Sequence, residues 1–254
     1  LVEWQTQTLA AAAANAQLQG DEYTFNAITP TVRVSNRTQI SRKTVIVSGT
    51  QNVVNKAGRD REIVYQMSLM RDELKRDKEF VLCSNQAPVT GNSTTAPQLR
   101  PLCGWYATNT SRGAGGANGT TSAAATDGTQ RAFTEALLTP MLSAAWTSGG
   151  APTMLITGPK QRGVFSTFNS GSTKFYQIED KKLTATIKIY EGDYGIYKML
   201  ASRFVRGAST GADREVHIIE PKLWAVGHLK GRKFLTAEVA KTGDSEKGVI
   251  LSEY

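Results

Sequence analysis

An α+β fold is predicted by two features of the sequence: one long stretch of helical periodicity in the first half, and a series of short strand-like runs in the second. Its 254 residues show neither an internal repeat nor a clear linker splitting the chain in two. A chain of this length buries a normal core without disulfide staples.

The elements follow in order. Ala10 to Ala16 is alanine-rich, and Asp21 to Pro30 is polar and ends on proline, which reads as an arm or loop. Thr31 to Val47 alternates, with Val32, Val34, Ile40 and Ile46 on one side and Arg33, Ser35, Arg37, Gln39, Ser41 and Lys43 on the other. This predicts a half-buried strand or a long two-stranded ribbon with a basic side, Arg42 standing nearby.

From Arg59 to Cys83 the residues Ile63, Met67, Met70, Leu74 and Val81 recur at helical spacing. A helix of that length spans roughly 37 Å, long enough to act as a structural backbone. The charge run Arg71 to Glu79 is expected on its solvated face, with i,i+4 pairs Asp72–Arg76 and Lys75–Glu79.

Ser84 to Gly128 is crowded with Gly, Ser, Thr, Asn, Ala and Pro, and is expected to be a flexible or partner-stabilised excursion. Leu102 to Tyr106 interrupts it with residues able to dock on the body. Asp127 and Gln130 have capping-box spacing and predict the start of a second helical region. Phe133, Leu137 and Met141 would share its buried face, Pro140 would kink or restart it, and Gly149-Gly150 would close it.

Thr153 to Thr157 predicts a short strand, and Pro159 opens a short helix. Leu183 to Ile189 alternates into the turn Glu191 to Gly195, and Ile196 to Val205 can return as its antiparallel partner. Further strands are expected at Glu215 to Ile219, Lys222 to Val226 and Gly248 to Tyr254.

Thirty basic against 22 acidic residues leave a net charge of +8, which favours anionic partners, nucleic acid first among them. No apolar run approaches the roughly 20 residues that cross a bilayer. There is no basic-then-apolar leader. The chain opens without methionine and stops inside a strand-like run, so both ends are expected to be trimmed. Cys83 and Cys103 lie 20 residues apart without a Cys-x-x-Cys, which encodes neither a zinc ribbon nor a disulfide framework.

Catalytic signals are missing. His217 and His228, the two histidines, lack metal-ligand spacing and are expected to be satisfied structural residues. No phosphate loop, nucleophile elbow or dinucleotide fingerprint occurs. Glu191, Asp193 and Asp213 have no spacing that requires them to meet. No enzyme, cofactor or metal is expected.

Taken in order along the chain, a set of short strings carries a resemblance. They are Glu3-Trp4-Gln5, Asn36-Arg37-Thr38-Gln39-Ile40, Val47-Ser48-Gly49-Thr50-Gln51, Ala57-Gly58-Arg59, Tyr65-Gln66 and Glu73-Leu74-Lys75-Arg76-Asp77. Gly104-Trp105, Thr134 to Leu138, Tyr190-Glu191, Asp193-Tyr194-Gly195, Arg203-Phe204-Val205, Lys241 to Asp244 and Ser252-Glu253-Tyr254 continue it. The chain resembles a tailed-bacteriophage major capsid protein of the podovirus type, with the HK-97-like fold.

This resemblance implies a subunit of an icosahedral shell that self-assembles as pentamers and hexamers around double-stranded DNA. Residues 1–20 would end an N-terminal arm, 21–50 would form the extended E-loop, and 51–98 the peripheral domain with its spine helix. An axial domain with a glycine-rich insertion would span 99–205, and 206–254 would return to the peripheral domain. Arg33, Arg37, Gln39, Arg42 and Lys43 become candidates for an inter-subunit interface, and Ile63, Met67, Met70 and Leu74 for the core stripe of the spine helix. Scaffolding, portal and decoration proteins are the partners such a subunit would meet, in a virion assembled in the host cytoplasm. The alternative is another phage structural protein or a non-specific DNA-binding protein, supported by the net charge.

Overall fold

The computed structural model describes residues 1–54, 58, 61–168, 189–205, 214–237 and 239–254. In chain order its first elements are β1 (Val2–Thr6), β2 (Val32–Asn36), β3 (Ile40–Ser48), α1 (Gly49–Val53) and α2 (Glu62–Leu82). Then come α3 (Glu135–Thr147), β4 (Met154–Thr157), α4 (Pro159–Phe165), β5 (Ile189–Gly192) and β6 (Gly195–Ala201). The last are β7 (Val216–Ile219), β8 (Leu235–Ala237) and β9 (Ser245–Glu253). Helix and sheet are mixed, in line with the α+β expectation.

The first core forms where α2 lies on the sheet β3-β9-β8. Met70 and Leu74 are buried with Ile250 of β9, and Val45, Met67 and Phe234 pack around them. Ile63, one turn before Met67, is half-buried. At 21 residues α2 is shorter than the predicted span, about 31 Å long. Lys78 was expected on its solvated face but is buried, because it lies one turn beyond Leu74 on the apolar stripe. Its ammonium sits 4.0 Å from the Phe234 ring centroid and donates to Lys233 O at 3.3 Å. Lys75 pairs with Asp72 at 2.8 Å in place of Glu79, whose Oε1 accepts from Ser202.

Strand β3 corrects the predicted ribbon. Residues 31–47 are not one continuous strand: β2 pairs with β1, and β3 pairs with β9 from Ile40↔Glu253 to Ser48↔Ser245. Across the break at Arg37 to Gln39 the phase is set anew, and a one-residue slip exchanges the faces. Val45 and Val47 therefore turn inward with Lys43 and Ser41, while Ile40 and Ile46 are exposed.

The second core belongs to the sheet β5-β6-β4-β7. Leu138 and Leu142 of α3 pack with Leu155, Phe165, Phe168, Tyr190, Tyr197 and Met199. The buried face of α3 is thus one residue round from the predicted one, with Leu137 and Met141 half-buried. Pro140 lies within a single helix, which begins at Glu135 and leaves Asp127 and Gln130 in the preceding loop. Gly149, with φ +84°, follows the end of α3 as expected. Asp193 and Tyr194 form the two-residue turn between β5 and β6. The predicted strand at Lys222 to Val226 is a 3-10 turn, Pro221–Leu223, followed by irregular chain, since Trp224 N is drawn back onto Pro221 O. The alternation at Leu183 to Ile187 lies outside the described residues.

The glycine-rich excursion is folded onto the body. Asn85 donates to Ala125 O at 2.7 Å and accepts from Ala125 N, so the end of α2 holds the loop by both backbone groups of one residue. Leu99 and Cys103 are buried, and Leu102–Trp105 forms a 3-10 turn. A Cβ at Gly113 would stand 1.9 Å from Thr129 O, so glycine is what lets these two strands of loop touch.

Candidate subunit interface

Two strands carry a long exposed segment away from the body. β1 and β2 pair antiparallel from Val2↔Asn36 to Thr6↔Val32, and every residue between them is exposed. Leu9 is 97% exposed, Leu18 80%, Tyr23 90%, Phe25 92% and Ile28 90%. Gln7 Nε2 donating to Thr29 O and Thr31 Oγ1 donating to Gln5 Oε1, each at 3.0 Å, extend the ladder past its last strand pair. Alternating polar and apolar residues at 2–6 explain β1, and five residues are too few for a period-two signal to separate a strand from an arm.

The root of this ribbon is aromatic and amide-bonded. Trp4 packs on Trp105 with ring centroids 5.4 Å apart. The Arg100 guanidinium covers the other indole partner, Trp105, at 4.3 Å, and Trp105 Nε1 donates to Arg100 O at 3.1 Å. Asn36 binds both backbone groups of Arg100.

The five predicted interface residues part company here. Arg33 lies on β2 in an ion pair with Glu3 of β1. Arg37 is half-buried at the break between sheets, and Arg42 is exposed on the outer face of β3 opposite Leu251. Gln39 works inside the subunit: its Oε1 accepts from Gln86 Nε2 at 2.8 Å, and its backbone exchanges two hydrogen bonds with Tyr254. Lys43 does so too, bound to Asp77 at 2.9 Å and Glu73 at 3.6 Å on α2. The hydrogen bond to Asp77 raises the Lys43 pKa above that of a free lysine, helped by both carboxylate charges and opposed by desolvation. Of the spine-stripe candidates, Met70 and Leu74 are buried in the first core with Met67 packed against it, and Ile63 is half-buried.

Among the described residues no group of three or more His, Cys, Asp or Glu could hold a metal ion. No helix among them is long and apolar enough to cross a membrane. Both cysteines are free thiols, and burial pushes Cys83 up to about 11 and Cys103 up to about 12.

Comparison with known proteins agrees with the resemblance in the sequence. The sequence model of the SU10 major capsid protein family matches residues 1–254. A curated major capsid protein of Escherichia phage Phieco32 is 43% identical over 88 residues, covering 34% of this chain. That aligned stretch spans 25% of the relative's own length. With a match from the first residue to the last, the chain belongs to the SU10 major capsid protein family.

Proposed function

We propose that this chain builds a closed icosahedral shell with the HK-97-like fold, as pentamers and hexamers around double-stranded DNA, and that residues 7–31 of one copy lie on the next. The observation that carries this reading is the segment itself, which presents Leu9, Leu18, Tyr23, Phe25 and Ile28 at 80% exposure or more. A monomer gains nothing from large apolar groups held in water. Closed rings use heterologous contacts, in which one surface meets a different surface of the next copy. Many modest contacts of this kind then add through multivalency.

The extended-loop role belongs, in this reading, to residues 1–36 rather than 21–50, because Ile40–Ser48 is built into the sheet under α2. The spine helix is α2, and the axial part is the second core with its glycine-rich loop. DNA is held by diffuse attraction of phosphate to a chain of net charge +8, without sequence preference and with steep salt dependence. Scaffolding, portal and decoration proteins are further partners, and assembly takes place in the host cytoplasm.

Negative-stain microscopy and light scattering of the expressed chain test the reading. Shells, tubes or capsomers are expected, and a strictly monomeric species across concentration and salt would end it. The double variant Tyr23→Ser, Phe25→Ser should lose assembly while its unfolding midpoint stays at the wild-type value.

A further inference from the structure

A cavity of about 520 Å³ separates β7 from the glycine-rich loop, and Tyr106, Arg112, Asp127, Glu215 and His217 line it. Three buried polar atoms of these residues have no hydrogen-bond partner among the described residues: Tyr106 Oη, Glu215 Oε2 and His217 Nε2. His217, expected to be a satisfied histidine, is 3% exposed. Its Nε2 lies 3.5 Å from Glu215 Oε2. The Tyr106 ring, from the loop side, stacks on the imidazole at 5.6 Å and 30°. Glu215 is fixed in turn to β4, where Thr157 Oγ1 donates to its backbone oxygen at 3.1 Å.

We propose that Glu215 and His217 hold a single proton between them, and that this neutral pair latches the glycine-rich loop onto β7. When the ring N–H is on Nδ1, a site with no further proton sets a carboxylate against an imidazole lone pair, and a site with two buries an imidazolium that has no counter-charge. One proton satisfies both atoms and leaves the imidazole face uncharged beneath Tyr106.

The surroundings decide where that proton sits. Burial, with the Asp127 charge adding and Arg112 opposing, pushes Glu215 from 4.5 up to about 7. Burial, with Arg112 adding, pulls His217 from 6.5 down to about 4. The other groups facing the pair do not compete for the proton. Tyr106 is held far above the usual phenol range by burial, and Cys83 and Cys103 stay thiols. Glu79 faces Cys83 from α2, and Lys160, Arg131 and Arg214 complete the charged rim of the cavity.

In the folded chain the proton is therefore on the carboxyl, and in the unfolded chain it is on the imidazole. Between pH 4.5 and 6.5 the two states bind the same number of protons, so the pair adds no pH slope to stability. Removing either partner uncovers the other. In Glu215→Gln, His217 alone has a lowered pKa, and stability is lost as pH falls from 6.5 towards 4. In His217→Gln, Glu215 alone has a raised pKa, and stability is lost as pH rises from 4.5 towards 7.

Urea unfolding of the three chains between pH 5 and 6.5 reads this directly. Relative to wild type, the unfolding constant of Glu215→Gln should fall about tenfold per pH unit, and that of His217→Gln should rise about tenfold. Parallel curves for all three chains would overturn the proposal. Should a variant fail to fold, carbon-13 NMR of the wild-type chain gives the same decision. A Glu215 carboxyl titrating near 7 beside a neutral His217 supports it, and a carboxyl near 4.5 beside an imidazole near 6.5 overturns it.

Discussion

Asn36 grips Arg100 by both of its backbone groups: Asn36 Nδ2 donates to Arg100 O at 3.1 Å, and Arg100 N donates to Asn36 Oδ1 at 2.9 Å. The last residue of β2 is thereby tied to the loop that carries Trp105, and the ribbon leaves the body at a fixed point. Asn36→Ala strands Arg100 N in a half-buried position, while Arg100 O keeps its bond from Trp105 Nε1, and should cost about 1–3 kcal/mol. Urea denaturation measures that loss, and hydrogen exchange at the amides of Val2–Thr6 should rise with it.

Leu74 has no exposed surface and sits between Met70 and Ile250. Leu74→Ala removes the centre of the α2 core and should cost about 2–5 kcal/mol. Met67→Ala, at a half-buried site on the same stripe, should cost less. Thermal unfolding of the two variants side by side checks the order.

Gly113 and Gly115 make a contrasting pair in one loop. A Cβ at Gly113 meets Thr129 O at 1.9 Å, so Gly113→Ala must push two backbones apart. A loss of about 1–3 kcal/mol is expected from that overpacking. Gly115 has open space around it, and Gly115→Ala meets only the strain of φ +77°, about 1–2 kcal/mol. Proteolysis of the loop should accelerate in the first variant more than in the second.

Of the basic residues from Arg33 to Lys43, Arg33 and Lys43 are used inside the subunit, Arg42 is turned outward and Arg37 lies at the break between β2 and β3. Lys43→Ala removes an exposed-edge ion pair with Asp77 and should change stability by less than about 1 kcal/mol, leaving particle yield intact. Arg37→Glu with Arg42→Glu should lower particle yield while the monomer keeps its unfolding midpoint. Equal yields for wild type and the double variant, counted by microscopy, would show that this face is merely solvated.

What was legible in the sequence were the elements with long periodicity. The stripe from Ile63 to Leu74 specifies α2 because apolar residues at helical spacing fall on one face, where Met70 and Leu74 are buried and Met67 packs beside them. β3 was placed correctly but turned over, since a period of two offers just two phases and the break at Arg37 to Gln39 resets them. Lys78 departs from the charge pattern because its ammonium finds the Phe234 ring and Lys233 O on the apolar stripe, partners that a run of charges in the sequence does not record. The partners of Gln39 and Lys43 were out of reach. They come from residues 47 and 34 positions away, and no local pattern records which distant group a polar side chain will meet. Glu215 was likewise silent, a single carboxylate whose meaning lies in the imidazole that the strand sets beside it.

The pairing of β3 with β9 joins parts of the chain far apart in sequence: Ser41 and Tyr254, 213 residues apart, share a hydrogen bond of 3.1 Å. A ribosome adding ~5–20 residues per second needs roughly 10 to 40 s to travel that distance. Until residues 245–253 have been made, Ile250 cannot cover Met70 and Leu74, and the apolar stripe of α2 stands uncovered on the nascent chain. Closing so long a loop is slow even for a finished chain. Synthesis itself thus acts as a clock, which withholds the completed body until translation reaches β9.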